Sequence, residues 1–390
     1  MHAIIKNTVF FLFLTLLPQT HHAQPTPAAQ QTDVYLPILK NKSIAVVGNH
    51  SSLIEKDGKN HHLVDHLLSE NIQVKKVFAP EHGFRGTADA GSHIDDGVDS
   101  RTSLPIVSLH GVHRKPQDKD LQGIDLVVFD IQDVGVRFYT YIATLQLVMQ
   151  ACAENQIPIV VFDRPNPNGH YVDGPVMEKE NQSFLGMNPI PLVYGMTIGE
   201  YAQMVNGEGW LGNDLQADLT VIRLKNYTHQ TPYELPVKPS PNLPNAKAVN
   251  LYPSLGLFEG TNVNAGRGTD RQFQQFGASF LNAKAYDYSY TPRPMPGATS
   301  PKEMGKICFG RDLSKTPYLN RVNLQWLVEA YNQSDDKSQF FINQGFTRHA
   351  GTEKLQQQII EGWSEADIRA SWKSDIETFL AIRQRYLLYP

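Results

Sequence analysis

Three hydrophobic runs in the first half of the chain each end in a carboxylate followed by a Gly- or Pro-rich polar loop. They are Val77-Phe78-Ala79-Pro80-Glu81-His82-Gly83, Leu126-Val127-Val128-Phe129-Asp130-Ile131-Gln132-Asp133 and Ile159-Val160-Val161-Phe162-Asp163-Arg164-Pro165-Asn166. In a parallel α/β sheet, ligands bind outside the carboxyl ends of the strands, so these acids are expected to converge on one crevice. Carboxylates sharing a crevice can divide the work of general acid and base.

Each position suggests a role. Glu81, set between Phe78 and Phe84, is expected to be partly desolvated, which raises a carboxyl pKa and suits a proton donor. Asp130 and Asp133 flank Gln132 and are the other catalytic candidates, although an Asp at a strand end commonly caps the next loop. The following run places Arg137 beside Tyr139 and Tyr141. Tyrosines offer flat apolar faces with a polar tip, suited to sugar rings, and arginine a bidentate clamp for a carboxylate. The loop Asp163-Arg164-Pro165-Asn166-Pro167-Asn168 is rigid and amide-rich, as hydroxyl recognition requires. Arg85, Glu259, Asn262 and Arg267, with Asn49 and His50 at the end of an earlier strand and His82 beside Glu81, complete the candidate binding set.

Other chemistries lack their residues. No G-x-S-x-G elbow is present for a serine hydrolase, and Gly266-Arg267-Gly268 lacks the third glycine and lysine of nucleotide loops. His61-His62-x3-His66 reads as solvated histidines at a helix start, so neither a metal nor a cofactor is expected. Cys152 and Cys308 are the two cysteines, and Cys152, in an apolar periodic stretch, reads as a small buried hydrophobe.

Strands are expected at 43–48, 74–78, 106–109, 126–129, 159–162 and 219–224, with helices at 61–71, 141–155 and 198–206 between them. This alternation argues an α/β fold with a Rossmann-like, doubly wound, mostly parallel sheet. Near-continuous Val, Ile and Phe in the strands says both faces are covered. After the break at Pro239–Pro244 the pattern changes to extended aromatic segments and to helices at 323–331 and 365–386. The expected organisation is a linker over 24–33, a Rossmann-like domain over 34–245, and a smaller C-terminal α+β domain over 246–390 that caps the cleft.

The 390 residues are 41% apolar and 19% charged with a net charge of −4. That balance, with no long Lys/Arg run, argues against a nucleic-acid partner. An apolar run from Val9 to Leu17, too short to span a bilayer and followed by Ala23, predicts a secretory signal peptide over 1–23, hence export, to a periplasm. No cysteine near the cut argues for a lipid anchor, so no membrane anchor is expected; an oligomeric state is not specified.

The blocks Phe78-Ala-Pro-Glu-His-Gly-Phe-Arg-Gly86, Phe129-Asp-Ile-Gln-Asp-Val-Gly-Val-Arg-Phe-Tyr-Thr-Tyr141, Asp163-Arg-Pro-Asn-Pro167, Gly195-Met-Thr-Ile-Gly-Glu200, Pro239-Ser-Pro-Asn242 and Gly266-Arg-Gly-Thr269 closely resemble, in order, the exo-β-N-acetylmuramidases of the NamZ type. The resemblance runs from about residue 34 to the C-terminus. It implies a glycosidase of peptidoglycan recycling, acting on peptidoglycan-derived disaccharides and muropeptides, that releases N-acetylmuramic acid from the non-reducing end. The lactyl carboxylate of that sugar calls for an arginine, for which Arg137, Arg164, Arg85 and Arg267 are candidates, Arg137 first. Gln272 stands where the family pattern has Pro, which bears on the rigidity of the 266–269 loop. The competing reading is a non-catalytic muropeptide-binding protein, which needs the same arginines and aromatics but no acid.

Overall fold

The computed structural model describes residues 24–85 and 96–390. The expected signal peptide and most of the Gly/Asp-rich loop after Gly83 lie outside the described residues. The chain opens with α1 (Thr32–Leu39), β1 (Ser43–Gly48), a hairpin of β2 (Leu53–Lys56) and β3 (Lys59–His62), α2 (Leu63–Ser69) and β4 (Gln73–Ala79). Next come β5 (Gly97–Val98), β6 (Pro105–Ser108), α3 (Asp118–Leu121), β7 (Leu126–Asp130), α4 (Tyr141–Glu154) and β8 (Ile159–Phe162). A second hairpin, β9 (Asp173–Val176) with β10 (Pro191–Val193), precedes α5 (Ile198–Gly207) and β11 (Leu219–Ile222).

These strands build a seven-stranded sheet in the order β11-β8-β7-β1-β4-β6-β5, parallel except for β5. Strand order reverses at β1, whose neighbours are β4 and β7, so the doubly wound reading holds and the switch point lies beside the ends of β1, β4 and β7. The apolar strand residues alternate between two cores. Val46, Val77, Val128 and Phe162 pack with α1 and α2, whereas Val47, Phe78, Phe129 and Val161 pack on the other face.

The stretch read as a linker is instead docked onto the sheet. Ala28 and Ala29 are fully buried, Thr26 bridges Lys225, and the Gln31 side chain donates to the Arg223 carbonyl. Small apolar side chains let this backbone lie flat against the core, which a Pro/Gln/Thr composition conceals. His62 and His66 are likewise buried rather than solvated; His62 caps α2 and meets the Asn49 carbonyl.

Beyond the Pro-rich break, α6 (Ala246–Leu255) runs into a short 3-10 turn, Gly256–Gly260. Strands β12 (Gln275–Ala278), β13 (Tyr288–Tyr290) and β14 (Cys308–Asp312) form an antiparallel sheet. Helices α7 (Gln325–Asn332), α8 (Asn343–Ala350), α9 (Lys354–Ile360), α10 (Glu365–Ser371) and α11 (Lys373–Arg383) follow. One apolar core continues from the parallel sheet into this half, joining Phe129 and Tyr141 to Phe258, Phe276 and Phe346. Both cysteines are buried and free.

Candidate active site

A pocket of about 130 Å³ lies off the end of β4. Its lining includes Glu81, His82, Phe138, Tyr139, Thr140, Ser240, Asn242, Tyr252, Glu259, Arg267, Phe273 and His349. Glu81 reaches it because Pro80 ends β4 and the chain turns sharply through His82, held at φ 71°. Thr140 stands at the N-cap position of α4, yet its hydroxyl makes no cap. It donates to Glu81 Oε2 at 2.8 Å. The Tyr141 hydroxyl lies 3.4 Å from the Glu81 carbonyl, and His82 Nε2 lies 3.2 Å from Ser240 Oγ.

The second carboxylate comes from the C-terminal half. Glu259, on the 3-10 turn after α6, is contacted by Arg267, whose Nε donates to Oε2 at 3.1 Å. The Arg267 guanidinium also lies over the Phe273 ring at 5.0 Å. Lys302 Nζ donates to the carbonyls of Phe258, Glu259 and Thr261, which ties down the turn carrying Glu259. Burial alone would push the Glu259 carboxyl up, but Arg267 foremost, with Lys302 and His349, outweighs it and holds the pKa below the usual value. Burial pulls His349 down, towards its neutral form. Arg267 stays charged: burial opposes its charge, but Glu259, with Glu81 contributing, holds its pKa above normal. This guanidinium is therefore within electrostatic reach of both glutamates.

The pocket thus brings together Glu81, His82, Tyr139, Glu259 and Arg267 from the expected set. The other candidates sit elsewhere, and several are corrected by their partners. Asp130 is fully buried in a bidentate ion pair with Arg164, at 2.6 and 2.8 Å. Burial works against charge on Arg164, but the Asp130 carboxylate outweighs it. Neither is available to a substrate. Asp133, its carboxyl pushed up to about 6 by burial, accepts from the Gly135 N–H at 2.6 Å and from the Tyr194 hydroxyl. It shapes the loop in which Gly135, at φ 74°, packs so closely on Asn166 that a Cβ would lie 2.2 Å from its amide oxygen.

Arg137 is the largest correction. It is 1% exposed and spends its guanidinium on four carbonyls, those of Pro175, Ile190, His349 and Ala350. With no carboxylate beside it among the described residues, burial draws its pKa down to about 9. It is an internal staple, not a clamp for substrate. Asn166, Asn168 and Gln132 are buried and bond backbone carbonyls. Asn49 is buried and accepts from Ser51; Tyr141 packs against Tyr139 outside the pocket lining. His50 meets the Lys238 carbonyl, Asn262 the Gln339 carbonyl, and Arg85 is paired with Asp99. The aromatic wall is Phe138, Tyr139, Tyr252 and Phe273, not Phe78 and Phe84, which belong to the two opposite cores.

Sequence reasoning passed over Thr140, Tyr252, Phe273 and His349. Thr140 and Phe138 lie inside the quoted Phe129–Tyr141 block, and Ser240 and Asn242 inside the Pro-rich break, so their signal was present. Tyr252 and His349 sit on ordinary helices and carried none. Gln272 is buried in place of the expected Pro, with the loop pinned by Asn264, whose amide bonds Gly266 N and the Arg267 carbonyl. Among the described residues no cluster of three His, Cys, Asp or Glu side chains converges.

The sequence matches the family model described as exo-β-N-acetylmuramidase NamZ, N-terminal, over residues 44–247, and its C-terminal counterpart over residues 250–389. The chain belongs to the NamZ exo-β-N-acetylmuramidase family. It is a glycoside hydrolase. A curated NamZ relative, the peptidoglycan β-N-acetylmuramidase of Bacillus subtilis (strain 168), is 36% identical over 374 residues, covering 90% of this chain and 88% of that one. Two crystal structures of DUF1343 family proteins from Bacteroides fragilis share the NamZ-type fold seen here. One is 46% identical with a TM-score of 0.86, the other 25% identical with a TM-score of 0.76; each alignment covers 94% of this chain and 99% of the neighbour.

Proposed function

We propose that this chain removes N-acetylmuramic acid from the non-reducing end of peptidoglycan fragments, with Glu81 and Glu259 as the working carboxylates. The observation that carries this assignment is that both acids line one small pocket with Arg267 coupled to each. Glycoside hydrolysis needs a proton donor and a second carboxylate around the scissile bond. Arg267 and Lys302 keep Glu259 ionised, which suits it to oppose the positive charge of an oxocarbenium-like transition state. Glu81 then protonates the leaving oxygen. A binding protein would have no use for such a pair.

Arg267 also inherits the lactyl carboxylate, since Arg137, Arg164 and Arg85 are engaged elsewhere. Its Nε faces Glu259, and its terminal nitrogens have no partner among the described residues, leaving two donors for a ligand carboxylate. A pocket of about 130 Å³ supports exo action, taking a chain end rather than a chain interior. The apolar N-terminal run supports export to a periplasm; among the described residues, no helix is long and apolar enough to cross a membrane.

The test is incubation with a chromogenic β-N-acetylmuramide and with the disaccharide N-acetylmuramyl-N-acetylglucosamine. Free N-acetylmuramic acid is expected from both, with no product from fragments whose non-reducing end is N-acetylglucosamine. Internal cleavage, or binding without turnover, would overturn the reading.

A further inference from the structure

His349, near the end of α8, lines the pocket and packs its ring against Phe138, with 5.4 Å between centroids. Its Nδ1 lies 2.8 Å from the Gly345 carbonyl, one turn back on the same helix. A carbonyl can only accept, so Nδ1 carries a hydrogen. Burial foremost, with the charges of Lys302 and Arg267, opposes a second proton and outweighs the Gly345 carbonyl and Glu259. The ring is therefore neutral, and Nε2 is an acceptor with a lone pair and no hydrogen. With Nδ1 turned onto its own helix, Nε2 points away from it, and it has no hydrogen-bond partner among the described residues.

Backbone contacts fix this ring relative to Glu259. The Ile342 N–H donates to the Gly260 carbonyl at 2.9 Å, and a Cβ on Gly260 would lie 2.3 Å from Phe346 Cα, so α8 rests directly on the turn that carries Glu259. At the other end of the helix, Arg137 donates to the His349 and Ala350 carbonyls at 3.0 and 2.6 Å. Neighbouring polar groups of the pocket already have work: the Thr140 hydroxyl meets Glu81, the Tyr139 hydroxyl the Pro239 carbonyl, and the Asn242 amide nitrogen the Gly297 carbonyl.

We propose that Nε2 of His349 accepts the hydrogen of the free 4-hydroxyl at the non-reducing end, and so confines the enzyme to chain ends. The inference rests on the proposed function, which puts N-acetylmuramic acid in the pocket, and adds the group that tells a terminal sugar from an internal one. At the chain end O4 is a hydroxyl; inside the glycan it is an ether oxygen bonded to the next sugar. A hydroxyl can donate to a bare imidazole nitrogen, whereas an ether oxygen sets lone pair against lone pair and leaves the nitrogen unpaired. The placement follows the sugar ring. C4 adjoins C3, which bears the lactyl group, and Arg267, assigned to that carboxylate, lies close enough to His349 to act on its charge.

The experiment compares a chromogenic β-N-acetylmuramide with its 4-deoxy and 4-O-methyl derivatives, on the wild type, His349→Phe and His349→Gln. In the wild type, kcat/KM is expected to fall about ten- to a hundredfold for the 4-deoxy substrate, through a lost hydrogen bond and an acceptor left unpaired, and at least as far for the 4-O-methyl one. His349→Phe keeps a ring beside Phe138 and removes the acceptor, so the 4-deoxy penalty should shrink to within about twofold. His349→Gln, whose amide oxygen can accept, should keep part of it. A wild type indifferent to the 4-hydroxyl, or a penalty undiminished in His349→Phe, would overturn the proposal. Should His349→Phe not fold, nitrogen NMR of the wild type decides, with the His349 signals assigned by their loss in His349→Gln. Nε2 is expected to carry no hydrogen and to shift on adding N-acetylmuramic acid but not its 4-deoxy analogue; a hydrogen on Nε2, or equal responses to both sugars, would overturn the proposal. Should the wild type fail to turn over the chromogenic muramide, the proposed function itself is wrong. His349 is then judged by the same NMR comparison, where a response to N-acetylmuramic acid alone supports the assignment and equal or absent responses overturn it.

Discussion

Thr140 donates its hydroxyl to Oε2 of Glu81 at 2.8 Å, and this contact fixes how the Glu81 carboxyl group is turned. The contact orients the acid as well as touching it.

Glu81→Gln keeps the shape and removes the transferable proton. It is expected to lower kcat at least about 10²-fold, the lower end for general acid catalysis, while binding persists. The loss should shrink for a nitrophenyl leaving group, which needs less protonation. Thr140→Val should cost less, about tenfold, with Thr140→Ser restoring the rate. Equal losses on good and poor leaving groups would remove Glu81 from the donor's role.

Two roles are proposed for Arg267, and Arg267→Ala should separate them. Loss of the guanidinium removes about 1.5–3 kcal/mol of charge-assisted bonding, so discrimination for muramides over glucosaminides should fall about ten- to a hundredfold. The same change frees Glu259 from the charge that holds its pKa down, so the acidic limb of the kcat/KM profile should move to higher pH. A profile that stays in place would show that Glu259 does not govern that limb.

The mistaken weight on Arg137 shows where sequence reasoning stops. The strand ends and the parallel sheet were legible, because alternating apolar runs report both cores and carboxylates after them report strand ends; the expected convergence of the three acids was not met, since Glu81 alone of them lines the pocket. Burial direction was not legible. Glu81 and Asp130 look alike in one dimension, but one ends a strand followed by a turn at His82 and faces the pocket, while the other meets Arg164 at 2.6 Å inside the protein. The partner acid, Glu259, lies 178 residues beyond Glu81 in an unremarkable Phe-Glu-Gly turn. Only tertiary packing brings the two halves of the site together.

Arg137→Met therefore tests stability rather than specificity. It would leave four buried carbonyls without their donor, and is expected to destabilise the fold by about 3–5 kcal/mol, the range for breaking a buried polar network. The muramide to glucosaminide ratio should be retained by whatever protein folds. Thermal melting beside matched kinetics checks this; a lost ratio at unchanged Tm would return Arg137 to the substrate.

Asp163 supplies a prediction that does not involve the pocket. Its carboxylate accepts from the Tyr389 hydroxyl at 2.6 Å, Thr197 at 2.7 Å and the Gly199 N–H at 2.8 Å, while Glu200 nearby accepts from the Leu388 N–H, so two buried acids clasp the C-terminus. Burial pushes Asp163 up to about 7, despite the donors that oppose it. An unfolded Asp titrates near about 3.9. Between these values the native state holds a proton that the unfolded state has released, so this group's contribution is complete below about pH 4 and is lost as pH rises through about 7. The slope is at most about −1.4 kcal/mol per pH unit for one proton. His62, drawn down to about 4 by burial, acts in the opposite sense, its contribution being lost as pH falls. Comparison of wild type with Asp163→Asn isolates the Asp163 part. Urea unfolding at steps from pH 4 to 8 should show the wild type losing stability with rising pH relative to the variant. Parallel curves would mean that Asp163 is ionised throughout and that the clasp is insensitive to pH.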